Sequence, residues 1–389
     1  MITIPKINSS TKKSAKILLA PLDWGLGHAT RCIPIVKELL SLNCEVIIAA
    51  KGPQKAVLEQ EFPFLRFVGI PGYNVKYGKN RALTLLKITL KIPEILIRIK
   101  AEKAWLKGFA KQEKLDAVIS DNRYGLYKRG LPSVFVTHQL LIRTPFGARA
   151  DRILQRIQYR LLRRFSICWV PDLEHQPSLA GQLSHPEKLP SIPVRYIGIL
   201  SRFEKRSAGT DATISCDLLI LLSGPEPQRT IFENIILDQL ASDSALPAQP
   251  ALPEKIVLVR GLPERSQGSD NIRSRLPGLV VHDHLPAEAL NEWVCGAGLV
   301  LSRPGYSSVM DLLKLQKKCI FVPTPGQTEQ EYLGDHLAGR RLALCLTQSG
   351  FSLNGALTAA GNFPFAPPGL HEDGLLRTAI SQTLYEFFG

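Results

Sequence analysis

The segment from Leu299 to Leu337, LVLSRPGYSSVMDLLKLQKKCIFVPTPGQTEQEYLGDHL, is compatible with few folds. Leu299–Leu301 and Cys319–Val322 are short, apolar and bounded by turn residues, which predicts two buried strands. Between them Val309, Leu312, Leu313 and Leu315 recur at helical spacing over Ser307–Gln316, with Ser307 and Ser308 as candidate N-caps. A strand–turn–helix–strand unit leaves unpaired backbone N–H groups at the helix start, where an anion can sit. The second turn, Thr324–Gln330, opens another helix with Gln327, Glu329, Gln330 and Glu331 in its first turn. Two helix mouths with polar and acidic side chains suit one ligand that carries both a phosphate and a sugar.

A matching unit stands near the other end. Lys16–Ala20 (KILLA) reads as a buried strand, followed by Pro21-Leu22-Asp23-Trp24-Gly25-Leu26-Gly27-His28 and an apolar-periodic helix from Ala29 to Leu42. Gly25 and Gly27 permit a tight turn with close backbone approach, and His28 falls where the helix begins. The third glycine of a dinucleotide fingerprint is missing, and no acid closes the strand at Ile47–Ala50, which argues against a nicotinamide site.

Further strand runs occur at Glu45–Ala50, Leu65–Ile70, Leu115–Ser120, Ser133–Thr137, Ile167–Val170 and Arg195–Gly198, most of them separated by helical patterns. The polar stretch Ser201–Ser215 interrupts the alternation, which restarts at Asp217–Leu222, Lys255–Arg260 and Leu279–Val281. Such alternation predicts α/β halves with parallel sheets. The expected division is residues 1–200, a linker at 201–215, a second domain at 216–371 and a terminal helix within 372–389. Two such halves face each other across a cleft at the carboxyl ends of their strands, where ligands bind in this architecture.

Seven cysteines are scattered singly, with no C-x-x-C pair, so neither a disulfide framework nor a thiolate zinc site is expected. The first residues lack an apolar core of the kind that directs export, and no apolar run spans a bilayer, so the expected location is cytoplasmic. The net charge of +14 is concentrated in two segments. Lys76–Lys111 carries +8 and Arg143–Arg164 carries +6. In the second, Arg149, Arg152, Arg156, Arg160 and Arg163 form a helical stripe, with Ile153, Leu154, Ile157, Leu161 and Phe165 placed mostly opposite. Pro93 is expected to kink or split a helix in the first. Basic amphipathic helices of this kind suit an anionic membrane surface or a solvated protein face. The absence of aromatic interleaving and of a recognition-helix motif argues against nucleic acid.

With these residues in place the chain resembles the GT-B glycosyltransferases, in particular the MurG-like group of family 28, over Asp217–Leu337 and around Ala20–Arg31. The resemblance implies two Rossmann-like doubly wound domains and a UDP-activated sugar donor, with no further cofactor. SRPGYSSVMD and FVPTPGQTEQEY are its most specific motifs. It implies that the helix start at Pro304–Ser308, with Gly305, Ser307 and Ser308, receives the diphosphate, that Asp311 binds the ribose hydroxyls, and that Gln330 and Glu331 hold the donor sugar; Arg303 beside them reads as a partner for a phosphate or a carboxylate. It further implies that the backbone of His282 pairs with uracil. The phosphate loop Ser223–Arg229 departs from the family pattern, because Pro225 and Pro227 remove N–H donors; Ser223, Gly224 and Arg229 remain as contributors.

Sugar transfer needs a base for the acceptor hydroxyl, and histidine titrates near working pH. His28 is the candidate base, Asp121 at the end of Leu115–Ser120 the candidate orienter, and His138 the reserve. Asp121 is also placed to cap the following turn. Without an Asp-x-Asp pair, metal-independent inverting displacement is expected, and His282-Asp283-His284 offers a metal no evident third ligand. The acceptor is not legible; the basic helices point to a lipid-linked or anionic one. Two rival readings are an epimerase of the UDP-N-acetylglucosamine 2-epimerase type and a non-catalytic basic protein that binds membrane or nucleic acid.

Overall fold

The run KILLA has apolar side chains at consecutive positions because the strand it forms is covered on both faces. Ile17 and Leu19 enter one apolar cluster, and Leu18 and Ala20 enter another. The computed structural model describes residues 14–73, 92–175, 177–205, 214–243, 253–262, 269–370 and 374–389. Residues 76–91 of the first basic segment and 206–213 of the expected linker lie outside them, as do 1–13.

The first sheet contains β1 (Lys16–Ala20), β2 (Glu45–Ala49), β3 (Arg66–Val68), β4 (Ala117–Asp121), β5 (Ser133–Val136), β6 (Ile167–Val170) and β7 (Val194–Tyr196). All neighbours are parallel, in the order β3-β2-β1-β4-β5-β6-β7. The second contains β8 (Cys216–Leu221), β9 (Ile256–Val259), β10 (Val280–His282), β11 (Ala297–Ser302), β12 (Cys319–Phe321) and β13 (Leu344–Cys345). It too is parallel, in the order β10-β9-β8-β11-β12-β13. With helices packed on the sheets, this is the expected α/β pair of doubly wound domains. The strand order reverses between β1 and β4 and between β8 and β11, the positions where open α/β sheets form their ligand crevice. His28 follows β1, Asp121 ends β4, and the Arg303–Ser308 turn follows β11.

Helices α1 (Gly27–Ser41), α2 (Gly52–Glu61), α3 (Ile92–Glu113) and α4 (Ala148–Leu162) belong to the first domain. Helices α5 (Gln228–Asp243), α6 (Ser269–Arg275), α7 (Ala287–Gly296), α8 (Tyr306–Lys314), α9 (Thr328–Gly339) and α10 (Leu353–Asn362) belong to the second. Pro93 is the second residue of α3, where its missing N–H has no intrahelical partner to lose, so it starts the helix and does not split it. The terminal helix α11 (Leu375–Phe388) returns to the first domain. There Arg377 pairs with Glu38 at 2.8 Å, Arg195 with Glu386 at 2.6 Å, and Trp169 Nε1 donates to Thr383 Oγ1 at 3.1 Å.

One apolar cluster runs through both domains, joining Ile33, Val36, Leu179 and Leu183 to Tyr306, Val309, Leu333 and Leu337. Around it, Gln182 N donates to Tyr332 Oη at 2.8 Å and Arg340 Nη1 to the Ser178 carbonyl at 2.8 Å. The cleft edges are therefore held in a defined register.

Candidate active site

The turn after β1 is shaped by two glycines. Gly25 has φ +80°, and its carbonyl accepts from Gln54 Nε2 at 3.1 Å. Gly27 starts α1 at the domain interface, and a Cβ there would stand 2.9 Å from Ser307 Oγ. Ser307 donates to the Gly27 carbonyl at 2.8 Å, so it bridges the domains and does not cap α8 as expected. The N-cap of α8 is Gly305, without a side-chain cap, and Ser308 is half-buried in the first turn.

The N-termini of α1 and α8 thus meet across the cleft. Each carries unpaired N–H groups and the positive end of a helix dipole. Neither has an acidic residue in its first turn. Two positive ends brought together repel, and an anion between them relieves that repulsion.

At the same rim, His28 Nδ1 lies 2.8 Å from Asp121 Oδ2. The sequence placed both residues at strand ends, and the parallel register of β1 and β4 brings them together. Arg31, one helical turn after His28, joins the pair: Nε donates to Asp121 Oδ1 at 2.9 Å, and Nη2 also reaches that oxygen. Nη2 stands 2.9 Å from His28 Nδ1. A carboxylate only accepts and a guanidinium only donates. A lone pair on Nδ1 would face the Asp121 carboxylate and be repelled, so the proton sits on Nδ1 and the lone pair on Nε2.

Burial would raise the Asp121 carboxyl, but the Arg31 charge and the hydrogen bonds from His28 and Arg31 outweigh it and hold it below its ordinary value. His28 moves down, chiefly through burial and then through the Arg31 charge, against the opposing pull of Asp121. The site therefore holds a neutral imidazole beside an ionised, fully buried carboxylate.

The network continues across the cleft. Arg31 Nη1 stands 3.2 Å from His138 Nδ1, and His138 Nε2 is 2.7 Å from Glu329 Oε1 on the first turn of α9. The His138 ring stacks on Tyr306 at 4.1 Å and 12°, and Tyr306 Oη donates to the Pro171 carbonyl at 2.7 Å. Burial would raise the Glu329 carboxyl, but His138 and Arg31 bring it below its usual range.

Other expected donor residues are engaged within the fold. Gln330 Oε1 accepts from Thr324 N at 2.8 Å and Glu331 Oε1 from Gly326 N at 3.0 Å, so both brace the turn before α9. Glu329, which the sequence reading left without a role, is the member of that turn that reaches the opposite domain. Asp311 accepts from Ser201 Oγ at 2.7 Å and Arg202 N at 3.2 Å. Arg303 is fully buried, with no carboxylate partner among the described residues. It donates to the Val322, Pro323 and Gln228 carbonyls and to Gln348, and lies 4.2 Å over the Phe232 ring. Burial brings its guanidinium down to about 9.

Ser223 and Gly224 follow β8, half-buried and exposed. Arg229 is tied to Glu226 at 2.6 Å and Glu233 at 3.3 Å, and lines a cavity of about 320 Å³ with Arg260 and Arg275. His282 lies within β10 and not after it; its carbonyl accepts from Arg260 N at 2.9 Å. That bond belongs to the pairing of β10 with β9. Among the described residues, no three His, Cys, Asp or Glu side chains converge to hold a metal ion.

Residues 287–355 match the glycosyltransferase family 28 C-terminal domain. Solved structures with the same architecture include the glycotransferase of kitacinnamycin, at TM-score 0.57 and 12% identity over 97% of this chain and 95% of that one. The chain thus has the GT-B glycosyltransferase fold and carries a family 28 C-terminal domain in its second half. The spinosyn rhamnosyltransferase SpnG complexed with thymidine diphosphate aligns at TM-score 0.55 and 16% identity, over 96% of each chain. MurG of Acinetobacter baumannii aligns at TM-score 0.50 and 15% identity, over 96% of this chain and 98% of that one. At these identities the likeness to solved structures carries the fold alone. No curated protein sequence matches the glycosyltransferase.

Proposed function

We propose that this glycosyltransferase moves a hexose from a UDP-sugar to an acceptor hydroxyl by metal-independent inverting displacement, with His28 as base. The observation that carries the reading is the meeting of two acid-free helix N-termini at Ser307 and Gly27, with the His28–Asp121 pair at their rim. The nucleotide-bound relative SpnG supports a nucleoside-diphosphate donor as the class.

In the proposed step, His28 Nε2 takes the acceptor proton as the acceptor oxygen bonds to the anomeric carbon. The bond from that carbon to the diphosphate oxygen breaks on the opposite face, which inverts the centre. Asp121 stabilises the imidazolium that forms, and the α8 N-terminus receives the negative charge on the departing diphosphate. The donor is the only co-substrate in this scheme, and added EDTA is expected to leave the rate unchanged.

A thermal-shift panel of UDP, UDP-sugars, GDP-sugars and dTDP-sugars tests the donor class. Uridine compounds are expected to raise the melting temperature, since a ligand that binds only the native state must do so. A response confined to GDP or dTDP compounds would overturn the uridine assignment. The pH profile tests the base. With His28 shifted below its ordinary value of 6.5, the acid limb of kcat/KM is expected below pH 6.5, activity falling as pH drops through it.

The proposed acceptor is lipid-linked and reached from a cytoplasmic membrane face, a location that the seven free cysteines suit. No helix among the described residues is long and apolar enough to cross a membrane. The surface of α4 supports peripheral contact. Ile153 and Ile157 are 58% and 51% exposed, among Arg149, Arg152, Arg156 and Arg160, and not buried opposite the arginines as expected. Asp151, Gln158 and Leu162 take the buried face. On α3, Leu96 and Ile97 are also exposed. Further along α3 is a cavity of about 600 Å³ lined by Lys100, Lys103, Lys107, Lys128, Arg129 and Arg164, with no acid in its lining.

Sedimentation with vesicles is expected to show binding to phosphatidylglycerol-containing bilayers, weakened by salt and by Ile153→Glu with Ile157→Glu. Equal partitioning with neutral and anionic vesicles would remove the membrane assignment.

A further inference from the structure

We propose that Arg31 is a positioning residue that holds His28 in its proton-accepting form, and that Glu329 of the opposite domain completes its mooring through His138. The inference rests on the reading of His28 as base.

Arg31 is 3% exposed and sits on the face of α1 that carries His28, one turn earlier. Its guanidinium makes three distinct engagements: Nε and Nη2 on Asp121 Oδ1, Nη2 beside His28 Nδ1, and Nη1 on His138 Nδ1. A residue retained only to neutralise Asp121 has no need of contact with two imidazoles. The fork geometry matters, because an ammonium is a point charge and does not reach all three partners from one plane.

His28 Nδ1 lies within reach of both Asp121 Oδ2 and Arg31 Nη2 and can bond only one of them; with the carboxylate as acceptor, Arg31 stands beside the ring as a charge and does not donate to it. His28 carries its proton on Nδ1, facing Asp121 Oδ2. His138 accepts from Arg31 at Nδ1 and so carries its own proton on Nε2, facing Glu329. The groups facing His28 are Arg31, Asp121, His138 and, farther across the cleft, Glu329. Cys32 lies on the other side of Asp121, Sγ 3.9 Å from Oδ2, its thiol pushed up by burial. The fixed cation beside the ring disfavours imidazolium, and the fixed carboxylate keeps the Nδ1–H tautomer. Both effects need Arg31 in place, and Glu329 supplies the anchor from the donor-side domain. The His138–Glu329 bond thereby ties the network around the base to the opposite domain.

The test is an NMR titration of the histidine rings in the full chain without substrate, comparing the native protein with Arg31→Met, Arg31→Lys and Glu329→Gln. Arg31→Met is expected to raise the His28 pKa by about one to three units, the usual range for a neighbouring charge. The acid limb of kcat/KM should move by the same amount in the same direction. Glu329→Gln is expected to convert His138 from a single Nε2–H tautomer to a mixture. An unmoved His28 titration in folded Arg31→Met would overturn the proposal.

Where Arg31→Met does not fold, Arg31→Lys decides: the charge stays, but the His138 tautomer should change, and an unchanged tautomer overturns the proposal. The two readings separate cleanly. A shifted His28 titration with an unmoved activity profile sinks the base assignment, whereas an unmoved titration with intact transfer activity sinks the positioning role alone.

Discussion

Replacing His28 by alanine is expected to lower kcat by roughly 10²–10⁴-fold, the usual contribution of a positioned general base, while UDP affinity stays within a few-fold. The separation follows from the geometry. The expected side-chain contacts to the nucleotide follow β8 and β11 in the second domain, and the α1 turn would meet the phosphates through backbone amides, which alanine keeps. Initial rates of diphosphate release and calorimetric titration with UDP measure the two quantities on one sample. Equal losses in both would show that His28 binds the donor and does not take the proton. Asp121→Asn is a less clean probe, because it also leaves Arg31 buried without its carboxylate.

Removing Arg123 is expected to have the largest effect on stability, about 3–5 kcal/mol for Arg123→Met, the usual cost of breaking a buried ion pair by taking one partner. Arg123 is 1% exposed. Its Nη1 lies 2.5 Å from Glu102 Oε1, and its Nε donates to the Pro21 carbonyl at 2.7 Å. Glu102 is fully buried and, among the described residues, would keep Tyr73 Oη at 2.7 Å and Gly125 N at 3.1 Å.

Burial already raises the Glu102 carboxyl, and losing the arginine raises it further. The variant's folded state then binds the proton at a higher pH than the native one, so the deficit should shrink as pH falls from the variant's folded pKa to the native protein's. Urea unfolding checks both points, and Arg123→Met with Glu102→Met is expected to recover much of the loss. A single variant as stable as the native protein would contradict the buried-pair account. Because Arg123 also holds the Pro21 carbonyl, the single variant should loosen the turn that presents His28.

The strand runs were legible because parallel strands covered on both faces require uninterrupted apolar residues, and KILLA and ICWV satisfy that locally. His28 and Asp121 were legible for a related reason, since each lies where a strand of the reversing pair hands over to the next segment. Arg31 was within reach of the same logic, three residues after His28 on one helix.

Glu329 was not. Its partner stands 191 residues away in sequence, and only the packing of the shared apolar cluster brings the two domains into that register. The same distance effect explains Ser307, which local propensity assigns to a cap and the opposite domain takes as a donor. Asp311 shows it too, since Ser201 and Arg202 of the interdomain segment claim its carboxylate. On α4 the arginine stripe was legible but the exposed isoleucines were not, because Asp151 is drawn inward by Thr144.

The central claim is that a nucleoside diphosphate sits between the N-termini of α1 and α8. Hydrogen exchange of the full chain with and without UDP tests it most directly. Protection is expected together in residues 25–31 and 305–311, since both sets of amides would face the phosphates. UDP that binds but protects neither segment, or that protects only a surface remote from both, would contradict it.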